Sequence, residues 1–302
     1  MRKLPVFRSV GEVFSGVTRH YFQLLVAAWP AAILIAIGVA LYVWAYGEAG
    51  FGELVVLMQS GASPEEIAAA AEAMDQAAMG PTYIAATVLL LLASAVAAVR
   101  WHRFVLIGEH SGMLLRREDF RYIWTFIKVM LLYFLLILFG AFLVIGLQTL
   151  SGESMKAGNA GVVGFLEMAA AVLIVVGYLF ALGVLLRMML ALPEVSVGGR
   201  GKVFSILSAS EGNTWRMLGY GLVIALAYGL IALGLALVLS LLAAVLGGGA
   251  LLTVLIAAAG LGAYFYFLML QITSLSVAYR EIVGLPGGHE GEATVAEPSP
   301  GL

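Results

Sequence analysis

The sequence contains no cysteine and little charge. The absence of thiols among its 302 residues excludes disulfide bonds, thiolate catalysis and cysteine-based zinc or iron–sulfur sites. Charged residues make up 11% of the chain, against about 25% in an ordinary soluble domain. The formal net charge is −2, so no global electrostatic argument favours nucleic acid as a partner.

Aspartate is also scarce, since it occurs only at Asp75 and Asp119. A pair of aspartates within a membrane span is therefore excluded. His102, Glu109 and His110 follow no standard metal-ligand spacing. The patterns His-Glu-x-x-His and Gly-x-Ser-x-Gly do not occur in the sequence. The sequence therefore predicts no metal site, no cofactor and no enzymatic activity.

What the chain has in abundance is apolar surface, because 62% of its residues are hydrophobic. Six segments are long enough, at about 20 apolar residues each, to cross a hydrocarbon core of about 30 Å. They lie near 21–46, 81–107, 122–149, 162–192, 217–246 and 251–279. The sequence predicts an all-α, polytopic membrane helix bundle with six transmembrane helices over 21–280. Pro30 is the clearest position for a kink in the first span.

Three further segments lie outside the spans. Residues 1–20 repeat apolar side chains at helical spacing, which predicts an N-terminal interfacial amphipathic helix; its apolar face could meet either the membrane or the underside of the bundle. In the loop 47–80, Ser63, Pro64 and Glu66 predict a helix start, and hence a small extracytoplasmic helical hairpin. Residues 281–302 have little apolar content and are expected to form a disordered cytoplasmic tail.

The basic residues predict the orientation. Fifteen of the 16 Lys and Arg residues precede the first span, follow the sixth, or lie in or beside the connections after the second and fourth spans. Only Lys156 lies on the other side. The positive-inside rule then places both termini in the cytoplasm.

The basic face is the main candidate for a working surface. Cations beside membrane exits can bind anionic lipid head groups or a protein partner, but they can also merely set the topology. The candidate residues are Arg103, Arg116, Arg117, Arg187, Arg200, Lys202 and Arg216.

Two stretches of this face, 97–131 and 183–220, resemble each other. Each has an arginine just inside a span, followed six or seven residues later by an acid, and each continues to a tryptophan. These positions predict two structural ion pairs, Arg103–Glu109 and Arg187–Glu194.

Glu167 is the acid that the sequence places within a span. If it is buried, it can take part in proton coupling; if it is near the interface, it reaches water. Both readings stay open on the sequence.

The pattern from Arg187 to Arg216, with Arg103–Glu109 and Ser274–Arg280, resembles poorly characterised bacterial six-span inner-membrane proteins. These are similar to the membrane domain of some glycerophosphoryl diester phosphodiesterases. The catalytic domain is absent, and Glu194 stands where the family pattern has a small residue. The resemblance implies an inner-membrane location and a role in envelope or lipid homeostasis, and no hydrolase activity carries over.

Together these patterns favour a non-enzymatic integral membrane protein. Its expected partners are membrane lipids, in particular anionic head groups, with a second copy of the chain or another membrane protein as further alternatives. The competing hypothesis is a small transporter or channel, which requires a polar cavity in the bundle.

Overall fold

The computed structural model describes residues 2–48, 50–109, 116–246 and 250–285. Within these ranges the regular elements are all α-helices, which confirms the predicted class. They are α1 Val6–Ala27, α2 Trp29–Glu48, α3 Phe51–Gln59, α4 Pro64–Ala78, α5 Pro81–Ile107, α6 Arg117–Lys156, α7 Ala160–Met189, α8 Ala191–Ser196, α9 Val203–Ala209, α10 Thr214–Leu246 and α11 Ala250–Ile282. His110 and most of the predicted tail lie outside the described residues.

In the described part of the chain, six helices are long and apolar enough to cross a membrane: α2, α5, α6, α7, α10 and α11. Their outward surface agrees with that reading, since Phe134, Phe139 and Phe142 of α6 are all exposed. Exposure of such a continuous apolar surface to water is unfavourable, whereas contact with lipid chains is not. The chain is a multi-pass membrane protein.

The first span is shorter than the predicted 21–46. The helix breaks at Ala28, and the spanning helix α2 starts at Trp29. Pro30 therefore lies in the first turn of α2 and does not kink a continuous span. The reason is that proline lacks the N–H needed inside a helix, whereas the first turn leaves that group without a partner anyway.

The N-terminal helix α1 packs against the bundle. It extends to Ala27, beyond the predicted end at residue 20, with a kink at His20. Val13 and Val17 on its apolar face are fully buried, as is Leu4 just before it. This face contacts α11, α10 and α5. Of the two alternatives for the amphipathic segment, the structure shows packing on the protein itself.

The predicted hairpin in the loop 47–80 consists of α3 and α4. Ser63 caps α4, because its Oγ accepts a hydrogen bond from the backbone N–H of Glu66 at 3.3 Å. In return, the backbone N–H of Ser63 donates to Glu66 Oε2 at 2.9 Å. These reciprocal bonds form the expected capping box, with Pro64 in the first turn.

The densest packing lies at one end of the bundle, where α5, α7 and α11 finish and α6 and α10 begin. This is called the basic end below. The largest fully buried side chains are concentrated there, among them Trp101, Leu190, Met217 and Met269. Towards the opposite end, α6, α7 and α10 expose most of their apolar side chains.

The contact between α7 and α10 depends on Gly183. A Cβ atom at this position would lie 2.7 Å from Thr214 Cγ2 and 3.3 Å from the backbone oxygen of Thr214.

We expect Gly183→Leu to lower the free energy of unfolding by about 1–3 kcal/mol through overpacking. Thermal unfolding in detergent measures the effect. Gly140→Leu on α6 is the control, since nothing lies within 4 Å of its Cβ position; equal destabilisation by both variants would contradict the prediction.

Candidate functional site: the basic end

A buried ion pair joins α5 to α6 at the basic end. Arg100 Nη1 donates to Asp119 Oδ1 at 3.0 Å, and Nη2 donates to Oδ2 at 2.9 Å. The two side chains are 4% and 0% exposed. Two parallel charge-assisted bonds give this pair a fixed geometry. Each charge would be very costly here without the other, because neither reaches water.

Asp119 also caps the helix on which it lies. Its Oδ2 accepts a hydrogen bond from the backbone N–H of Arg116 at 2.6 Å, at the start of α6. A carboxylate is favourable at this position because the first N–H groups of a helix lack internal partners and carry partial positive charge. One carboxylate therefore closes the α5–α6 hairpin and starts α6.

A second set of charges lies just beyond the end of α5. Arg103 and Glu109 form the expected ion pair. Arg116 Nη1 also donates to Glu109, at 3.0 Å. Arg103 Nη1 donates to the backbone oxygen of Ser196 at 2.7 Å, which ties α5 to α8. The hydrogen bond from Arg103, with a further contribution from Arg116, holds the pKa of Glu109 below its ordinary value of 4.5.

His102, which follows no metal-ligand spacing in the sequence, is part of the core. It is fully buried, with Nδ1 2.7 Å from Ser276 Oγ and Nε2 3.3 Å from Tyr122 Oη. Ser276 Oγ donates to the backbone oxygen of Ile272. It therefore accepts from His102 Nδ1–H, and Nε2 accepts from the Tyr122 hydroxyl. Neutral His102 links α5, α6 and α11.

Arg187 does not form the predicted ion pair with Glu194. Its Nε donates to Ser210 Oγ at 3.1 Å and its Nη1 to Thr214 Oγ1 at 2.9 Å. Its Nη2 donates to the backbone oxygen of Leu207. Arg187 therefore ties the end of α7 to α9 and to the first turn of α10.

Glu194 lies on the other side of a break between two helices. Its backbone oxygen accepts a hydrogen bond from the N–H of Gly199 at 2.8 Å. The prediction rested on the seven-residue spacing of Arg187 and Glu194, but α7 ends at Met189 and α8 starts afresh at Ala191. Pro193 lacks the N–H that a continuing helix would need, which accounts for the break.

The loop between α8 and α9 is fixed to α6. Arg121 Nη2 donates to the backbone oxygen of Gly199 at 2.6 Å. Gly201 has a φ of +61°, and a Cβ atom there would collide with Val195 and come within 2.9 Å of Thr125 Oγ1. A glycine is required at this close approach. The loop therefore lies against the first turns of α6.

The N-terminal segment is clamped to the start of α10. Asn213 Oδ1 accepts from the backbone N–H of Leu4 at 3.0 Å, and Asn213 Nδ2 donates to the backbone oxygen of Arg2 at 3.0 Å. Arg216 Nη1 donates to the backbone oxygen of Leu4 at 3.1 Å. Residues 213–216 at the start of α10 are thus bonded to the N-terminal segment and to Arg187, and not to Glu194.

The predicted basic residues fall into two groups. Arg103 and Arg187 are part-buried and bonded within the protein, and Arg116 shares Glu109 with Arg103. The others are exposed. Arg117, Arg200 and Lys202 have no side-chain hydrogen bond or ion pair to a described residue, whereas Arg216 uses one donor on Leu4. We call the exposed group, Arg117, Arg200, Lys202 and Arg216, the exposed cations.

An exposed stripe on α6 leads away from one of these cations. Arg117, Phe120, Trp124, Ile127 and Leu131 recur at helical spacing, and all five are exposed. Along this stripe a cation is followed by two aromatic residues and then by aliphatic residues. That order matches the passage from lipid head group through the interface to hydrocarbon.

α10 carries a similar stripe. Trp215 is 61% exposed, as is Trp124 of α6, and it lies beside the exposed cation Arg216. Leu222, Leu226 and Leu233 continue along the exposed face of α10. The similarity of the two stretches noted in the sequence therefore has a structural counterpart, because both returning helices begin with a cation and a tryptophan on the lipid-facing side.

A cavity of about 550 Å³ opens between α1, α10 and α11. Its walls are mainly apolar, and half of the lining residues belong to α10 between Tyr228 and Leu239. Thr18 Oγ1 and Tyr266 Oη lie 3.0 Å apart on its wall, and Tyr21 Oη donates to the backbone oxygen of Gly262 at 3.2 Å. We call this cavity the lateral groove.

Two further expectations concern individual acids and metals. Glu167 is exposed on α7, so it does not take the buried position that proton coupling requires. Among the described residues, no group of three or more His, Asp or Glu side chains could hold a metal ion. The exposed cations are the part of the predicted lipid-binding set that keeps its charged groups exposed.

The residues that organise the site are not apparent from the sequence. The sequence indicates Arg100 only as one of the basic residues that set the orientation, and it indicates no role for Asp119. The available signal was Asp119 itself, an acid three residues after Arg116 at the start of a predicted helix, where capping acids are favoured. Nothing in the linear pattern indicated that its cation would come from within the preceding span.

The fold and the basic end define a six-span membrane protein with an internally bonded polar layer at one end. Comparison with protein-family models, with curated proteins and with solved structures finds no match. The resemblance to the membrane domain of glycerophosphoryl diester phosphodiesterases therefore stays a prediction.

The buried pair predicts a specific pattern in a double-mutant cycle. Asp119→Leu leaves the Arg100 guanidinium without its buried anion, so we expect a loss of about 3–5 kcal/mol in the free energy of unfolding. Arg100→Met together with Asp119→Leu removes both charges and should recover a large part of that loss. Chemical unfolding in detergent, followed by circular dichroism, measures both. A double variant no more stable than Asp119→Leu would contradict the assignment, and Arg117→Gln on the exposed face is the near-neutral control.

Glu109 predicts an acid-sensitive part of the stability. Its pKa is lower in the folded protein than in the unfolded chain, so the folded state is favoured while Glu109 is charged. This contribution is complete above a pH of about 4.5 and is lost as the pH falls through the lowered pKa. Glu109→Gln should therefore flatten the acid side of a thermal-stability profile. Glu118→Gln serves as control, and an unchanged profile for Glu109→Gln would contradict the prediction.

Proposed function

We propose that this protein is a non-catalytic multi-pass membrane protein that binds anionic lipid through its basic end. The supporting observation is the position of the exposed cations at the head-group end of two lipid-facing stripes. Arg117 begins the stripe that leads through Trp124, and Arg216 adjoins Trp215 on α10. A cation placed at this level lies where lipid phosphates lie.

Three of the four exposed cations come from segments that the fold brings together. The bond from Arg121 to Gly199 holds the loop 198–202 against the beginning of α6. Arg117 lies one turn before Arg121, and Arg200 follows Gly199 directly. Arg117, Arg200 and Lys202 therefore form one patch. Topology alone needs only the number of cations in a connection, so their convergence favours binding of an anion.

The proposal includes a location. Because 15 of the 16 basic residues precede the first span, follow the sixth, or lie in or beside the connections after the second and fourth spans, the positive-inside rule places the basic end and both termini in the cytoplasm. The family resemblance points to the bacterial inner membrane and to a role in envelope or lipid homeostasis. An acidic protein partner would use the same patch and is distinguished from lipid by the experiment below.

The arrangement of Ser276 and His102 does not support catalysis. A serine hydroxyl 2.7 Å from an imidazole is the kind of contact that can activate a nucleophile. Here both side chains are fully buried, and Ser276 Oγ donates to its own helix at Ile272. No substrate reaches this hydroxyl, so the pair acts as a structural link.

The transporter hypothesis requires a polar cavity through the bundle. The lateral groove has mainly apolar walls and opens between helices on the side of the bundle. Glu167, the candidate residue for proton coupling, is exposed. Neither observation favours transport over lipid binding.

Native mass spectrometry of the full chain tests the proposal. The protein is released from detergent in the presence of equal amounts of phosphatidylglycerol and phosphatidylcholine. We expect a preference for phosphatidylglycerol that falls by about tenfold or more in the triple variant Arg117→Gln, Arg200→Gln, Lys202→Gln, because each cation near an anionic surface contributes about 1 kcal/mol.

Lys156→Gln is the matched control, since Lys156 is exposed at the end of α6 opposite the basic end. It should leave the preference unchanged. Equal binding of both lipids by the unaltered protein would refute the proposal, as would a triple variant that keeps the full preference. Loss of a co-purifying acidic protein in the triple variant, without a change in lipid binding, would support the partner alternative instead.

A further inference from the structure

We propose that the lateral groove holds one acyl chain of an anionic phospholipid whose phosphate contacts Arg19. The inference rests on the proposed lipid-binding function but concerns a separate site. The groove is formed by α10 and α11 together with Thr18, Tyr21 and Phe22 of α1. The N-terminal helix α1, which is not one of the six spanning helices, therefore forms part of its wall.

The length of the groove fits the acyl chain of one leaflet. Its wall on α10 runs from Tyr228 to Leu239, which corresponds to about 16 Å at the helical rise of about 1.5 Å per residue. The hydrocarbon core of a bilayer is about 30 Å thick, so one leaflet supplies about 15 Å. A chain from one leaflet would fill the groove along its length.

The groove has a volume of about 550 Å³ and is bordered by small side chains. Small side chains, among them Ala232, Ala236 and Ala263, leave this narrow space between α10 and α11. A flexible, thin and apolar occupant is the chemistry that fits.

The charge beside the groove selects the head group. Arg19 follows the groove residue Thr18 in α1 and is exposed. It has no hydrogen bond or ion pair to a described residue, and the preceding acid on its helix, Glu12, is bonded to Arg280. A cation next to apolar, lipid-facing surface needs an anion or water. A lipid phosphate supplies that anion and brings an acyl chain with it.

The kink in α1 lies within the segment that lines the groove. His20 departs from helical geometry, with φ of −109° and ψ of 16°, between Thr18 and Tyr21. The hydroxyls of these two residues bond to Tyr266 and Gly262 of α11. The kink therefore occurs where α1 is attached to one wall of the groove, and it leaves Arg19 on the exposed side.

Photo-crosslinking in nanodiscs tests the proposal on the full chain. The probe is a phosphatidylglycerol that carries a diazirine on one acyl chain, and a phosphatidylcholine with the same chain is the comparison. Peptide mapping should find the phosphatidylglycerol adducts concentrated between Tyr228 and Leu239 and around Gly262. Ala236→Phe should remove most of these adducts, because a phenyl ring at this exposed position fills the groove.

Two controls separate the groove from its surroundings. Ala141→Phe makes the same change on the exposed face of α6 and should leave the adducts in place. Arg19→Gln should reduce the excess of phosphatidylglycerol over phosphatidylcholine adducts by about fivefold, which is what one cation near an anionic surface contributes. Arg8→Gln, at an exposed position near the start of α1, should not reduce it.

Adducts spread evenly over the exposed faces of all spanning helices would overturn the proposal. So would groove adducts that persist in Ala236→Phe, or adducts that show no dependence on Arg19. The triple variant of the exposed cations keeps the two proposals apart. If it retains groove adducts while losing head-group preference, only the basic-end site is affected; if groove adducts are absent while that preference is intact, the groove proposal alone fails.

Discussion

The pairing of Arg100 with Asp119 is the constraint on which the rest of the basic end depends. Neither side chain reaches water, so each charge is tolerable only while the other is in place. Because Asp119 lies in the first turn of α6, the pair fixes where α6 begins relative to α5. That position in turn brings Arg116 to Glu109 and Arg121 to Gly199. The polar layer is thus built outward from one buried contact.

This layer divides the arginines by what they can still bind. Arg103 and Arg187 donate to backbone oxygens across helix junctions, a use that demands fixed geometry and leaves few donors for a ligand. Arg117, Arg200 and Lys202 are held by no such bond to the described residues and remain available at the surface. A count of basic residues does not distinguish the internally bonded arginines from the exposed ones. The sequence therefore assigns all of them to one face without separating structural from ligand-binding roles.

The sequence predicts best those properties that are set within a short segment of the chain. The length of an apolar run is local, so α5 was predicted at its observed bounds, and the capping box at Ser63 was likewise recognisable. The predicted pairing of Arg187 with Glu194 is wrong because α7 ends at Met189 and α8 starts at Ala191, so their separation in sequence does not set where the two side chains point. The partner of Asp119 lies 19 positions away across a connection. Such a contact depends on how two helices pack against each other, and residue spacing along the sequence does not predict that packing.

The same packing explains why a groove exists at all. Hydrogen bonds and large buried side chains hold the helices together at the basic end, where Tyr220 of α10 donates to the backbone oxygen of Ser274 of α11. Farther along these two helices, small residues such as Ala236 and Ala263 line the groove and leave the space between the helices unfilled. In water such a gap would collapse or be lost to a different packing, since apolar surface there is costly. In a bilayer, lipid chains are as apolar as leucine and can complete the packing. The helices are thus held together by direct contacts at the basic end, and lipid completes the packing in the lateral groove. Arg19 lies beside the groove, where the lipid phosphate would bind.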